Sequence, residues 1–322
     1  MAKEEKNWYD DFLKLLETKF TKKHELVEGL MNLLFIEREA VYRRLRQDVI
    51  FSAHEIATIA SAWNISLDDV MTVNPGLVAF QMQRMNFLNP SEMESNIIRK
   101  VIKGLHYSKD FPTSEIIDVG NKLPRQFLAG YLNLNKFYLF KWSYQYGNND
   151  EVIPFSQIVL SEEITNLTKE YQQAIKLMPT SYFIWDRRLF DNLVSDIQYF
   201  ASIRMITNAE KALIKQDLND LLNYLQEVAT KGFYPETHNK VNLYISNLHV
   251  DTNYNFTYTP EASICFVFVF EKFEIHSFNK AMTADFRTWM HLKKRSSTQI
   301  SEVDERSRIE YFTRQRELVN TL

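Results

Sequence analysis

Near residue 235 the spacing of apolar side chains changes, and that change limits what the chain can fold into. Up to Lys231 apolar residues recur at every third or fourth position, the period of a helix with one buried face; beyond Lys240 they alternate, the period of a strand. The segment "KVNLYISNLHVD" alternates Val241, Leu243 and Ile245. "NYNFTYT" and "SICFVFVF" are β-branched and aromatic with "TPEA" as turn material between them, and "KFEIHSF" reads as a fourth strand. Helices first and strands late predict a mainly α chain, α+β overall. Its C-terminal strands would form an antiparallel sheet with helices packed on one side.

The helical part divides. Residues 8–20 place Trp8, Phe12, Leu15, Leu16 and Phe20 at helical spacing, and a second helix from about residue 22 carries Leu26, Leu30, Leu33 and Leu34. A third covers 37–46. Ser52 followed by Glu55 is a capping box for a fourth. A short fifth opens at Ser66, with Asp68 and Asp69 where carboxylates suit the positive helix end, and stops at "NPG". Residues 1–75 are therefore read as a five-helix domain, 76–91 as a connecting segment and 92–322 as a larger α+β domain. In the latter, helices are expected over 92–107, 161–178, 186–206, 208–231, 282–293 and 302–321, with Gly232 at a C-terminal cap. The aromatic stretch "FYLFKWSYQY", 137–146, reads equally as helix or strand.

Among the 322 residues Gly and Pro number only 7 and 8, which argues against Gly-rich phosphate loops, and no GxGxxG or P-loop occurs. The net charge of -3 means that any nucleic-acid interface must be a local patch. The single cysteine, Cys265, lies in an apolar run and is expected to pack; one cysteine cannot build a disulfide framework and fits a reducing cytosol. The charged start "MAKEEKNWYDDF" is no secretory signal, and no apolar run approaches the ~20 residues that span a bilayer. These features predict a soluble cytoplasmic protein that does not engage a membrane.

"IATIASAWNISLDDV", 56–70, has the apolar spacing of a helix-turn-helix, but its second helix offers Asp68 and Asp69 and no Lys or Arg to phosphates. Twenty-nine residues upstream the spacing recurs in Leu30-Met31, Leu34, Ile36-Glu37 and Val41. There the second helix is "EREAVYRRLR". Ala40, Val41 and Leu45 form its apolar seam. Arg38, Glu39, Tyr42, Arg43 and Arg46 project elsewhere and can meet base edges, with Arg44 expected on phosphate. Phe35 stands where such turns often carry Gly, and Met31 where a small residue lets helices close up.

The run "LVEGLMNLLFIEREAVYRRLR" followed by "FSAHEIATIASAWNISLDDVM" resembles the phage-repressor-like (Xre-type) helix-turn-helix family over about a sixth of the chain. The resemblance implies that the second block walls the core as helices four and five, that the turn is Phe35-Ile36, and that 37–46 is the reader helix. It further implies a bacterial transcription regulator that binds double-stranded DNA. The low positive charge predicts few phosphate contacts per copy, so a homodimer is expected, with 92–322 as a regulatory and dimerisation domain that could sense a small-molecule effector. The alternative is a protein-interaction adaptor that uses the five-helix domain as a docking module.

Other residues carry less chemistry. None of His24, His54, His106, His238, His249, His276 and His291 pairs at ligand spacing. His249 and Asp251 would share a strand face that could hold a metal, though a surface strand pair explains them. Acidic pairs such as Asp217 and Asp220 fall on polar helix faces where solvation suffices. No catalytic, metal or cofactor set is therefore assigned, and the chain is not expected to be an enzyme. "LKKRSSTQIS" groups Lys293, Lys294 and Arg295 with Ser296, Ser297 and Thr298, before a helix that Ser301 would cap. Lys293, Lys294, Arg295 and Ser297 are thus a weak candidate for an anion or effector, against a solvated helix end. The aromatic stretch and Trp185 could line a ligand pocket or fill a core. The last helix, with Ile309, Phe312, Leu318 and Val319, could form a dimer seam or pack on its own sheet.

Overall fold

The computed structural model describes residues 8–20, 22–63, 65, 67, 77–83, 90–146, 153–269 and 273–322. The chain forms two compact units, Met1–Ala79 and Phe80–Leu322.

In the first unit four helices are described: α1 (Trp8–Thr18), α2 (Lys23–Leu34), α3 (Arg38–Leu45) and α4 (Ala53–Ala62). Their apolar stripes meet in a core of Phe12, Leu16, Leu26, Val27, Leu30, Val41, Phe51 and Ile59. Ser52 and Glu55 form the capping box of α4 reciprocally. Trp63 ends that helix and packs edge-on against Phe20, with ring centroids 4.9 Å apart. It rests so closely on α2 that a Cβ at Gly29 would lie 3.2 Å from the indole, which is why α2 tolerates a helix-weakening glycine there. The Tyr9 hydroxyl accepts the Phe51 N–H at 2.9 Å, tying α1 to the loop after α3. The expected fifth helix lies, apart from Leu67, outside the described residues.

The second unit corrects the expected fold class. It is an α/β unit around one eight-stranded mixed sheet, ordered β1-β7-β6-β5-β2-β3-β4-β8. The strands are β1 (Gln81–Met82), β2 (Glu115–Gly120), β3 (Thr180–Asp186), β4 (Lys240–Ser246), β5 (Tyr254–Tyr258), β6 (Ser263–Val269), β7 (Phe273–Ser277) and β8 (Ser297–Gln299). β5, β6 and β7 form an antiparallel meander, but β2, β3 and β4 are parallel neighbours. Two central strands were invisible to the alternation test. β2, "EIIDVG", is buried at every position and β3, "TSYFIWD", at nearly every one. A strand covered on both faces has no polar side, so it shows no period of two. The sheet is therefore not a late, one-sided antiparallel addition to a helical domain.

Parallel strands need crossovers, and the helices supply them. After α5 (Pro90–Ser108), β2 connects to β3 through α6 (Arg125–Leu128), α7 (Leu132–Tyr146) and α8 (Glu162–Lys176). β3 connects to β4 through α9 (Asp191–Ser202) and α10 (Asn208–Lys231). One sheet face presents Phe183, Trp185, Val241, Leu243 and Ile245 to α6, α7, α9, α10 and the last helix, α12 (Glu305–Asn320). The other presents Ile117, Val119, Ile184 and Phe256 to Phe286 and Met290 of α11 (Lys280–Leu292). The stretch 137–146 is helical, within α7. The helix expected over 186–206 is shorter, because Asp186 ends β3. Phe312 and Val319 of α12 are buried in this unit's own core.

Polar side chains complete the frame. Asp217, expected to be merely solvated, accepts the Asn133 N–H at 2.7 Å and the Leu134 N–H at 3.2 Å, capping α7 from a neighbouring helix. Gly232 closes α10 with φ at 74°, and a Cβ there would run into Glu302. Glu94 and Arg125 pair at 2.7 Å below the surface, and Arg125 also bonds Asn135, which donates to Thr168 at 3.2 Å. Among the described residues no helix is long and apolar enough to cross a membrane.

Candidate nucleic-acid interface

The turn between α2 and α3 is built on strain. Phe35, the C-cap of α2, adopts the left-handed conformation at φ 54° and ψ 44°, yet its side chain is 92 % exposed. An L-residue there costs roughly 1–2 kcal/mol through Cβ crowding, and this aromatic recovers little of it by packing. Phe35→Gly is therefore expected to raise the unit's stability by about 0.5–1 kcal/mol, after glycine's extra chain entropy is subtracted. A denaturant melt reads this directly; a loss of stability would mean that the exposed ring makes a contact that matters.

α3 turns one residue, Val41, fully into the core, with Tyr42, Arg44 and Leu45 half-buried beside it. At 3.6 residues per turn, Arg38, Glu39, Tyr42, Arg43 and Arg46 fall within an arc of about 140°. Arg38, Glu39, Arg43 and Arg46 are exposed on that arc. Arg46 reaches Glu39 at 2.9 Å and Asp48 at 3.1 Å, and Arg38 approaches Glu28 at 3.9 Å. Exposed pairs of this kind are worth at most about 1 kcal/mol, so a phosphate can displace their acidic partners. Arg43 makes no side-chain ion pair or hydrogen bond among the described residues.

Arg44 does different work from the phosphate contact expected of it. It lies off the arc, 18 % exposed, and donates to Glu55 at 2.8 Å and to the Ala40 carbonyl at 3.2 Å, with its guanidinium 5.9 Å from the Phe51 ring. Glu55 thus serves the cap of α4 and the anchor of α3 together. Burial pushes its carboxyl up, but the Ser52 N–H, the Arg44 guanidinium and the Ser52 hydroxyl outweigh this and hold it below the usual range. A depressed carboxyl contributes stability above its unfolded value near 4.3 and loses it as pH falls through the folded one. Arg44→Met is expected to cost roughly 1–3 kcal/mol, or about 5–20 °C in Tm, and to flatten the stability loss below about pH 4. Thermal melts at pH 3.5 and 7 check both parts.

The weak anion candidate is taken apart by the second unit. Lys294 lies with Nζ 3.6 Å from the centre of the Tyr182 ring, burial lowers its pKa, and Lys293 stands 5.2 Å from the Trp289 ring. Ser297 opens β8 and donates to the Lys293 carbonyl at 2.8 Å, and Arg295 is exposed. The helix expected beside them begins later. Asp304 caps α12, and the Ser301 hydroxyl is buried, accepting the Leu243 N–H at 3.0 Å. His249 and Asp251 sit in the loop after β4 rather than on a strand. His249 Nδ1 lies 2.9 Å from Asp186, which also accepts the Arg188 and Val250 N–H groups and so fixes the end of β3. No group of three or more His, Cys, Asp or Glu side chains among the described residues is placed to hold a metal ion. Trp185 is fully buried between Phe127 and Phe183, a core residue rather than a pocket wall.

A cleft of about 130 Å³ lies at the carboxyl ends of β2 and β3, and Phe137 and Tyr138, from the aromatic stretch read as core or pocket lining, are among its walls. Lys122 and Leu123 follow β2, Leu189, Asn192 and Leu193 follow β3, and Phe137, Tyr138 and Lys141 come from α7. These segments are far apart in sequence and meet only because β2 and β3 pair. Comparison of the chain with protein-family models, with curated proteins and with solved structures finds no match.

Proposed function

We propose that the protein is a sequence-specific DNA-binding transcription regulator that acts as a homodimer, with the Phe80–Leu322 unit as its regulatory part. The observation that carries this reading is the α2–turn–α3 arrangement, in which one helix face offers Arg38, Arg43 and Arg46 to solvent while Arg44 is kept for the fold. A helix-turn-helix works by laying such a face in the major groove, where guanidinium forks meet guanine edges and phosphates. Three exposed arginines are few for one copy, so useful affinity calls for two copies on one site. Selection from a random duplex library tests this: an enriched inverted repeat with half-sites about one helical turn apart is expected. A protein that stays monomeric at micromolar concentration and enriches no sequence would end the proposal.

A second reading has its own support. Phe35 and Ile50, 92 % and 66 % exposed, flank α3 in the chain with large apolar side chains, as a protein-docking surface would. Phe35→Gly separates the two. A DNA reader keeps its duplex affinity within about threefold, because no arginine is removed, whereas a docking module loses its partner.

A further inference from the structure

The cleft at the carboxyl ends of β2 and β3 lies where two helix faces meet without closing on each other. Leu134, Phe137, Tyr138 and Lys141 follow one another along one face of α7, and Leu189, Asn192, Leu193 and Asp196 repeat that spacing into α9. Each row starts apolar and ends in a charge, and the two charges pair, with Lys141 Nζ 2.6 Å from Asp196. Leu123 and Leu128 complete the wall. Leu123, Leu128, Leu134, Phe137 and Leu189 are buried, Tyr138 and Leu193 half-buried, and Asn192 exposed.

The charges of the lining are already matched. Lys141 and Asp196 hold each other, and Lys122 has a partner of its own. Burial, then the Glu94 charge, raises the Tyr138 phenol so far that it stays neutral. A ligand of either sign would have to break one of these contacts or leave its own charge unpaired against leucines, and both are costly. A metal ion would find no group of three or more ligating side chains among the described residues. Water is poorly served as well, because it needs several polar partners and the buried walls are hydrocarbon.

We propose that this cleft binds a small neutral molecule of one ring, seated against Leu134, Phe137 and Leu193. Size sets the class. A cavity of roughly 150 Å³ lined by Leu, Ile and Phe takes one benzene, so the 130 Å³ here admits a single ring with one small substituent. Such a molecule displaces poorly held water, buries its apolar surface and disturbs no ion pair. The cleft lies wholly within the Phe80–Leu322 unit and requires nothing of DNA binding.

The test is made on the full chain without duplex, so that its failure and the failure of the DNA reading are distinguishable. Calorimetric titration with toluene and phenol should give saturable binding with a Kd on the order of 0.1–1 mM, as expected of ligands this small. Benzoate and benzylamine, which carry the same ring with opposite charges, should bind weaker by at least about tenfold. Leu193→Trp, which fills the cleft from a half-buried wall, should abolish toluene binding. Leu193→Ala, which widens the same wall, should bind ethylbenzene more tightly than the parent chain does, by about tenfold or more. Binding of neither toluene nor phenol, a charged ring bound as tightly as toluene, toluene binding untouched by Leu193→Trp, or no gain for ethylbenzene with Leu193→Ala would overturn the proposal.

Discussion

Asp118→Asn should make the Phe80–Leu322 unit more stable at pH 8, by up to about 4 kcal/mol, while changing little at pH 4. Asp118 lies in the middle of β2, 1 % exposed, on the face it shares with Phe183 and Trp185. Asn255 and the Trp185 indole stand against it, but neither closes a hydrogen bond of normal geometry to its carboxyl oxygens. Burial therefore dominates and pushes the carboxyl up to about 7. A carboxyl raised in the folded state favours folding while it is protonated, so its contribution is complete below the unfolded value near 3.9. It is lost as pH rises through the folded value near 7. The variant cannot ionise, and the Asn255 amide can turn to receive its N–H. Glu274 is also pushed up to about 7 by burial, so the variant should remove only part of the alkaline loss. Urea melts of both proteins at pH 4, 6 and 8 give the difference directly. Equal pH slopes would show that Asp118 is not the buried acid responsible.

The second large effect is on DNA. Joint charge reversal, Arg43→Glu with Arg46→Glu, should lower duplex affinity by more than about 100-fold at 0.1 M salt. On the proposed reading each reversal removes a favourable contact worth roughly 1–3 kcal/mol and adds repulsion, and the proposed dimer carries every change twice. Both side chains are exposed, so the melting temperature should move by only a few degrees. Arg44→Met should behave the other way round, melting the unit without singling out DNA. An affinity unchanged by the double reversal would remove α3 as the reader.

The first unit was largely legible in sequence because its signals are local. A capping box is four residues long, and an amphipathic stripe such as Leu26, Leu30 and Val41 is read without knowing any partner. What could not be read was which arginine belongs to the fold. Arg44 looks like its neighbours until Glu55, eleven residues on, is seen to lie against it. In the second unit the signals are not local. β2 and β3 are buried by crossovers that lie far away in sequence, so their polar and apolar residues show no rhythm. Once those strands were missed, β4 could only be grouped with the meander that follows it, whereas it pairs with β3 and β8. Of the cleft, only the aromatic share, Phe137 and Tyr138, could be read in the sequence. Lys122 and Lys141 become neighbours of Asn192 and Leu193 only after β2 and β3 pair.

Whether α3 presents arginines to a duplex is tested most directly by the salt dependence of binding. The full chain is titrated into random duplex DNA between 50 and 200 mM salt. Six arginine–phosphate contacts, three from each of two copies, predict a log–log slope of about −5 and a loss of affinity near 1,000-fold across that range. No binding at 50 mM salt, or an affinity indifferent to salt, would contradict it.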